Sequence, residues 1–490
     1  MRLAFDNEKY LELQSKNILD RVSKFGNKLY IEFGGKLFDD YHASRVLPGF
    51  LPDSKLRMLL TLKDKVEVVI AINAKDILKN KMRGDLNINY ETEVLRLIDA
   101  FRASGLFVGS VCITQYQAAP QVASFKKKLN NLGVKTYLHY EIAGYPHDVK
   151  TIISEAGFGK NQYIETERPI VVVTAPGPGS GKMATCLSQL YHENKRGIKA
   201  GYAKYETFPI WSIPLKHPIN LAYEAATADL KDINMVDPFH LEAYGTTAVN
   251  YNRDIEMFPV LKNILMKVSE KDIYKSPTDM GVNMIGYCIS DNDVVEEAAK
   301  KEIVRRYYNE TNNYKLGLCE ADTFEKVKLL MNEVGVDENY LDVIKPALEK
   351  REKENKPVIS MKIGRKIITG KQTDILTPAS SVVINAIKLL SKIPDDIKLL
   401  SPNVLEPMLN LKKELNNGDR LTLPEVLTAL SICSATNSMT EKALSNLNKL
   451  KDCEAHATYI VDNGDKKTLK GLKVNLTCEP EYLPSEYDLD

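Results

Sequence analysis

The residues best suited to chemistry lie in a glycine-rich segment between a strand-like run and a helix-like run. The apolar run Ile170–Thr174 leads into Ala-Pro-Gly-Pro-Gly-Ser-Gly-Lys, which ends at Lys182. Three glycines in this segment can adopt positive φ, so that successive backbone N–H groups converge on one point. The helix that follows directs its free N–H groups and the positive end of its dipole to the same point. The pattern predicts a phosphate-binding site formed by Gly177, Gly179, Ser180, Gly181, Lys182 and Thr185.

The segment resembles the Walker A loop, G-x-x-x-x-G-K-[ST], but it departs from that pattern at two positions. Pro176 stands in place of the first glycine, and Met183 stands in place of the hydroxyl that binds Mg²⁺. A thioether sulfur is a poor ligand for a hard cation, so Met183 argues against Mg²⁺. The dinucleotide pattern GxGxxG also fails, because Lys182 occupies its third glycine position. We expect ATP or another phosphorylated ligand, and a tight turn with glycines for close packing is the alternative.

Further candidates for catalysis follow the glycine-rich segment in the chain. Glu206 comes after a predicted strand, Lys199–Ala203, and ligands of parallel sheets sit at the carboxyl ends of strands. An irregular loop packed by its own aromatic residues is an equal alternative there. Asp237 and His240 lie close together and could act in acid–base catalysis or hold a metal, although Asp-Pro is also an ordinary helix start. The predicted catalytic residues are Lys182, Glu206, Asp237 and His240, and the pattern assigns no metal ligands.

A second possible anion site lies in the last third of the chain, at Thr369–Ser381. Thr377 is expected to cap a helix that begins at Pro378, with two serines in its first turn and Lys371 upstream. A plain capped helix, without any ligand, is the favoured interpretation of this pattern.

The elements that would position these residues predict an α/β fold with a doubly wound, mostly parallel sheet. Strand-like runs alternate with helical segments through the first half of the chain, and Ile170–Val173 is continuously apolar, as in a strand buried on both faces. We predict a P-loop-like α/β domain over residues 1–275, a helical segment over 276–356, and a C-terminal α/β subdomain over 357–490. In the last of these, His456–Val461 and Leu469–Leu476 are expected to form a strand pair around an Asn-Gly turn.

Composition restricts the class of protein. The 490 residues include 66 Lys and Arg against 65 Asp and Glu, and this balance argues against a broad nucleic-acid-binding face. No apolar run approaches the roughly 18 residues that a membrane span needs. The seven cysteines form no C-x-x-C pair, which is typical of reduced thiols in the cytoplasm. We expect a cytoplasmic homo-oligomer whose partner is a phosphorylated small molecule rather than a nucleic acid or a membrane.

Several long strings resemble a bacterial family of uncharacterised proteins that share a domain of unknown function. The resemblance implies an α/β N-terminal region, a helical insert and a C-terminal α/β subdomain. Some members of the family are labelled ATP-dependent peptidases, but the chain has neither H-E-x-x-H nor G-x-S-x-G, the patterns that such chemistry would favour. The strings that carry the resemblance are Tyr30–Phe50, Thr174–Lys182, Gly201–Pro218 and Lys275–Asn283.

Two functional hypotheses remain open at this point. The first is an enzyme of phosphoryl transfer or phosphate-assisted ligation, in which the loop N–H groups and Lys182 stabilise phosphate charge. Glu206, Asp237 or His240 would then serve as a base or a metal ligand. The second is a non-catalytic sensor or assembly protein, whose ligand only stabilises a closed conformation.

Overall fold

The chain forms two compact units in the computed structural model, which describes residues 2–83, 86, 88–415 and 418–483. Unit 1 comprises Met1–Glu224 and Lys231–Ala299, and unit 2 comprises Ala225–Leu230 and Lys300–Asp490. The three-part division of the chain at residues 275 and 356 stays a prediction. The described part of the chain contains no helix long and apolar enough to span a membrane.

The strands alternate with helices through the first half of the chain, as the sequence pattern predicts. The strands are β1 Leu29–Phe33, β2 Val66–Asn73, β3 Met82–Arg83, β4 Ile88–Asn89, β5 Phe107–Thr114, β6 Lys135–Leu138, β7 Ile170–Thr174, β8 Gly201–Tyr205, β9 Asn234–Val236, β10 Val249–Tyr251, β11 Val358–Ile363, β12 Lys366–Lys371, β13 Glu454–Ala457 and β14 Asn475–Cys478. Strand β8 begins and ends two residues later than predicted, so that Glu206 directly follows it.

The helices in the first 280 residues are mostly short, apart from those that cover the large sheet. They are α1 Asn7–Lys24, α2 Tyr41–Val46, α3 Ser54–Thr61, α4 Ala74–Leu78, α5 Tyr90–Ala103, α6 Pro120–Asn131, α7 Val149–Ile152, α8 Lys182–Lys195, α9 Pro218–Ala226, α10 Pro238–Tyr244, α11 Asn252–Ser269 and α12 Pro277–Met280. Later helices are α13 Asn292–Lys315, α14 Ala321–Glu333, α15 Ile344–Glu354, α16 Pro378–Ser391, α17 Pro402–Glu414, α18 Leu423–Ser434, α19 Ser438–Leu444 and α20 Asn463–Gly471. Short 3₁₀ helices occupy Lys63–Lys65, Phe158–Lys160, Ala228–Leu230, Ile285–Cys288 and Leu447–Leu450.

A six-stranded sheet organises the described part of unit 1, with the strand order β6-β5-β2-β7-β1-β8. Every neighbouring pair in this sheet is parallel. All eight residues of β2 and all five residues of β7 are buried, so both faces of the sheet are covered at its centre. The prediction of an α/β fold with a mostly parallel sheet is therefore confirmed.

Unit 2 contains a smaller sheet with the order β12-β11-β13-β14. Strands β11 and β12 form a hairpin around Gly364 and pair antiparallel from Val358–Lys371 to Ile363–Lys366. The predicted closing hairpin around Asn463-Gly464 is wrong: β13 and β14 pair in parallel, and α20 connects them. The carboxylate of Asp462 accepts hydrogen bonds from the N–H groups of Gly464 and Asp465, so the Asn-Gly pair begins a helix instead of a tight turn.

Strand β12 and helix α16 approach each other so closely that Gly370 leaves no room for a side chain. A Cβ at this position would lie 2.1 Å from the backbone nitrogen of Val382. The two backbones would have to separate to admit it, which would disturb the core between the sheet of unit 2 and α16.

We expect Gly370→Ala to lower the free energy of unfolding by about 1–3 kcal/mol, because the added methyl group overpacks a backbone contact. Urea unfolding followed by circular dichroism measures the change. The matched control is Gly471→Ala, where a Cβ would meet nothing within 4 Å and the residue ends α20. The control should be neutral or slightly stabilising, and equal stability of the two variants would contradict the packing argument.

Candidate functional site

The glycine-rich segment lies at the carboxyl edge of the large sheet, at the point where the chain changes direction. In the strand order, β2 and β7 are neighbours at the centre of the sheet. The chain leaves β2 toward β5 on one side, and it leaves β7 toward β8 on the other side, beyond β1. Ligands of open parallel sheets bind in the crevice at such a switch point. Residues 175–181 follow β7 directly and lead into the N-terminus of α8.

Side chains from two neighbouring strand ends hold the carbonyl groups of this loop. Asn73, the last residue of β2, donates through Nδ2 to the carbonyl oxygen of Gly179 at 3.3 Å. Thr114, the last residue of β5, donates through Oγ1 to the carbonyl oxygen of Ser180 at 2.8 Å. The hydroxyl of Ser180 donates to the carbonyl oxygen of Gly177 at 2.9 Å. The carbonyl oxygens of Gly177, Gly179 and Ser180 are therefore occupied by the protein itself.

The backbone N–H groups of the same loop, in contrast, have no acceptors within the described part of the chain. Gly179 has φ 77° and Gly181 has φ 87°, and Gly181 is the N-cap residue of α8 without a side chain to cap the helix. Within the described part of the chain, no hydrogen bond is found for the backbone N–H groups of Gly179, Ser180 and Gly181. Successive N–H groups without acceptors at a helix N-terminus form the kind of concavity that binds anions.

Lys182 stands at the first position of α8, beside these N–H groups. Its side chain is half-buried and makes no ion pair with the described residues. Burial raises the pKa of the neighbouring Cys186 thiol well above its usual value; Glu32 raises it further, and Lys182 lowers it. Both Glu32 and Lys182 therefore act electrostatically on the first turns of α8.

The hydroxyl groups near the loop are committed to the loop itself. Thr185 is fully buried, and its Oγ1 donates to the carbonyl oxygen of Gly181 at 3.0 Å. The side chain of Met183 packs against the core of unit 1. Thr185 therefore lies beneath the loop as a support. Among the described residues, no group of three or more His, Cys, Asp or Glu side chains is arranged to hold a metal ion.

Two glycines of the loop are required by their neighbours. A Cβ on Gly177 would lie 2.1 Å from the hydroxyl oxygen of Tyr90, at the start of α5. A Cβ on Gly181 would lie 2.9 Å from both Oγ1 and Cγ2 of Thr114. The loop is therefore packed against the ends of α5 and β5, which fixes its backbone.

A cluster of charged side chains occupies the carboxyl ends of β1 and β8. The ammonium group of Lys204 lies 2.5 Å from Oδ2 of Asp254 and 3.3 Å from Oε2 of Glu206. Glu32 accepts a hydrogen bond from the hydroxyl of Tyr202 at 2.8 Å. Burial lowers the pKa of Lys204, but the carboxylates of Asp254, Glu206 and Glu32 outweigh burial and raise it overall.

Glu206 is the member of this cluster with the properties of an acid–base group. Burial raises its pKa from 4.5 to about 7, since the nearby carboxylates Asp254 and Glu32 add to burial and Lys204 only partly offsets it. Its side chain keeps 31% of its exposure, so that a proton can be exchanged with water or a ligand. Gly34, after β1, lies against it: a Cβ there would be 2.8 Å from Cγ of Glu206.

Asp237 and His240 are placed in structural contacts. The buried carboxylate of Asp237 caps α10 by accepting from the N–H groups of Phe239 and His240, each at 3.0 Å. It also accepts from the N–H and the hydroxyl of Thr278, at 3.2 and 2.6 Å. Nδ1 of His240 lies 3.1 Å from the hydroxyl of Ser276. No described hydrogen bond or ion pair joins either residue to the loop, and their catalytic role stays a prediction.

Sequence patterns did not reveal the residues that shape this site from other strands. Asn73 and Thr114 carry a weak clue, since each is a polar residue that ends an apolar strand. Asp254 gives no clue, because it lies in the first turn of α11, far from Lys204 in the chain. Tyr90 is likewise recognisable only from its contact with Gly177.

We expect Glu206→Gln to change the pH dependence of stability. The folded protein disfavours ionised Glu206, so wild-type stability falls relative to the variant as pH rises from about 4.5 through about 7. Between about pH 5 and about pH 8, the free energy of unfolding of the variant should gain about 1–3 kcal/mol on that of the wild type. Urea unfolding followed by the fluorescence of Trp211, the single tryptophan, reports on unit 1.

Glu242→Gln is the control for this measurement, because it makes the same charge change at an exposed residue of unit 1. The difference that it shows between the two pH values is the background from which the effect of Glu206→Gln is measured. A Glu206→Gln variant that also shows no pH-dependent difference would show that Glu206 is an ordinary surface carboxylate.

Comparison with known proteins identifies the family. The model of the domain of unknown function DUF1846, N-terminal, matches residues 3–335, and its C-terminal counterpart matches residues 339–487. A UPF0371 protein of Clostridium botulinum (strain Eklund 17B / Type B) is 55% identical over 498 residues, covering 99% of each chain. A UPF0371 protein of Clostridium tetani is 50% identical over 498 residues, with the same coverage. The resemblance inferred from the sequence is confirmed, and the chain belongs to the DUF1846 family.

Proposed function

We propose that unit 1 binds a phosphorylated small molecule, a nucleotide or another phosphate ester, through a variant of the phosphate loop at residues 175–182. One observation carries the proposal. The carbonyl oxygens of Gly177, Gly179 and Ser180 are occupied by protein side chains, whereas the N–H groups of Gly179, Ser180 and Gly181 have no described acceptor. Such a loop offers hydrogen bonds to an anion without any rearrangement.

The chemistry of the loop matches a phosphate group. Phosphate oxygens would accept hydrogen bonds from the loop N–H groups and from the first turn of α8, whose dipole favours negative charge. Lys182 supplies a full positive charge at the same point. Its half-buried position strengthens the attraction compared with a lysine in open water.

The side chains around the loop favour a ligand that is bound by protein groups without a Mg²⁺ ion. Met183 replaces the hydroxyl of the Walker A pattern, and the hydroxyl of Thr185 donates to the carbonyl of Gly181 beneath the loop. ATP therefore remains a candidate ligand, but the proposal does not depend on Mg²⁺. Binding with and without Mg²⁺ distinguishes the two cases.

Glu206 extends the proposal from binding to catalysis. With a pKa of about 7, it is present in both protonation states near neutral pH, as a general acid–base group should be. In phosphoryl transfer, ionised Glu206 would accept the proton of the attacking group, which is water, an alcohol or an amine, as that atom bonds to phosphorus. The bond from phosphorus to the leaving oxygen breaks in the same displacement, and the leaving group departs with the electron pair of that bond. Lys182 and the loop N–H groups would stabilise the negative charge on the phosphoryl oxygens. Glu32 of the charged cluster and Lys182 of the loop both act on the thiol of Cys186 in α8, and the strands that carry the cluster and the loop end at the same edge of the sheet.

A non-catalytic sensor or assembly protein is the second candidate function. The contacts of Asp237 favour it, because this expected base or metal ligand is fully engaged in capping α10 and in binding Thr278. In this case the ligand would bind at the same loop but undergo no reaction. We propose that the protein forms a homo-oligomer in either case. Sedimentation of the protein with and without ligand tests this association.

We expect Lys182→Met to weaken the binding of phosphate and ATP about tenfold or more, because a charge-assisted contact to the ligand is lost. Calorimetric titration of the wild-type protein and the variant with inorganic phosphate and with ATP, with and without Mg²⁺, gives the affinities. A ligand at a hundredfold excess over its Kd should also stabilise the wild type by about 2.7 kcal/mol.

Lys195→Met is the matched control, since Lys195 ends the same helix and pairs with Glu155 at the surface. It should bind all ligands as the wild type does. Lack of binding to the wild type, or equal binding by Lys182→Met, would refute the phosphate site.

Turnover separates the two candidate functions. If unit 1 is an enzyme, Glu206→Gln should retain ligand binding but release phosphate from ATP or a phosphorylated substrate about 100-fold more slowly, because the general base is lost. Coupled phosphate-release assays measure the rate. Undetectable turnover by a wild-type protein that binds ATP would favour the sensor instead.

A further inference from the structure

Unit 2 contains a cleft of about 350 Å³ beside α16, at the segment Thr369–Ser381 where the sequence pattern leaves a second anion site open. Its walls come from α15, from β12, from the segment that follows β12, and from the first two turns of α16. The residues that line it are Lys350, Thr369, Lys371, Thr373, Leu376, Ser381, Ile384 and Asn385.

The hydroxyl of Ser381 is the first observation that points to a ligand. Ser381 keeps only 8% of its exposure, and its Oγ has no hydrogen-bond partner among the described residues. Its neighbours in the chain are satisfied: the hydroxyl of Thr377 caps the N–H of Ser380, and the hydroxyl of Ser380 donates to the carbonyl of Leu421 at 3.0 Å. A buried hydroxyl without a hydrogen-bond partner is energetically costly. A ligand that binds in the cleft could supply that partner.

Two lysines of the cleft are the second observation. The ammonium groups of Lys350 and Lys371 lie 2.8 and 2.6 Å from the two oxygens of Glu354. These hydrogen bonds lower the pKa of Glu354 from 4.5 to about 2. The two lysines thus share the single carboxylate of Glu354, so this group of three side chains carries one excess positive charge. The shared carboxylate also holds both ammonium groups at the wall of the cleft.

The remaining lining combines fixed polar groups with apolar surface. Nδ2 of Asn385 donates to the carbonyl oxygen of Thr369 at 2.9 Å and ties α16 to β12. Leu376 and Ile384 contribute apolar side chains to the same cleft. Ser381 lies in the first turns of a 14-residue helix, whose positive dipole end favours an anion.

We propose that this cleft binds a small molecule that carries an oxyanion, a phosphate ester or a carboxylate, on an apolar body. The oxyanion would lie between the hydroxyl of Ser381 and the ammonium groups of Lys350 and Lys371. The apolar body would contact Leu376 and Ile384. All of its lining residues belong to unit 2, and it would be occupied whether or not the loop of unit 1 binds phosphate.

Calorimetric titrations with phenyl phosphate and with benzoate test the proposal. Both probes carry an oxyanion on an aromatic ring. The probe with the higher affinity indicates whether the ligand of the cleft carries a phosphate or a carboxylate. The full chain with Lys182→Met is the host, so that binding at the loop of unit 1 is weakened and any remainder is common to all variants compared. We expect saturable binding in this host, weakened about fivefold or more by Ser381→Ala and by Lys371→Met.

Ser381→Ala removes an unpaired hydroxyl and should leave the melting temperature unchanged, so a loss of affinity cannot be ascribed to unfolding. The controls are Lys362→Met, which removes a lysine of β11 that pairs with Asp342, and Ser431→Ala at an exposed position of α18. Both controls should bind as the host does. Absence of saturable binding by either probe, or equal affinities of the cleft variants and the controls, would overturn the proposal.

Discussion

The hydrogen bonds from Asn73 and Thr114 to the loop carbonyls are the constraint on which the rest of the site depends. They occupy the carbonyl oxygens of Gly179 and Ser180 from the side of the sheet, while the N–H groups of Gly179, Ser180 and Gly181 have no described acceptor. A loop without these bonds could rotate its peptide groups and satisfy the same N–H groups internally. The two donors belong to the ends of β2 and β5, which are buried parallel strands, so the core itself fixes the orientation of the loop.

The parallel sheet brings two chemically different groups of residues to its carboxyl edge. The loop after β7 offers uncharged donors and Lys182, whereas the ends of β1 and β8 carry a cluster in which one lysine faces several carboxylates. Burial among those carboxylates, more than any single contact, moves Glu206 toward neutral pH. The balanced charge of the whole chain agrees with such local devices, since neither requires a broadly basic surface.

Local patterns predicted the elements whose causes are local. The continuous apolar run made Ile170–Thr174 recognisable as a central strand, and Thr377 caps α16 as its position before Pro378 predicted. The segment around Asn463 was predicted wrongly, because an Asn-Gly pair serves a hairpin or a capped helix equally well and Asp462 decides the outcome. The partnership of Lys204 with Asp254 could not be predicted, since it joins a strand to a helix through tertiary packing alone.

A crystal structure of the protein grown in saturating inorganic phosphate would show directly whether the N–H groups of the loop bind an anion. We expect a phosphate ion that accepts hydrogen bonds from the backbone of Gly179, Ser180 and Gly181, with the ammonium group of Lys182 beside it. A loop whose N–H groups donate to protein acceptors, with no ion between them and Lys182, would contradict this expectation.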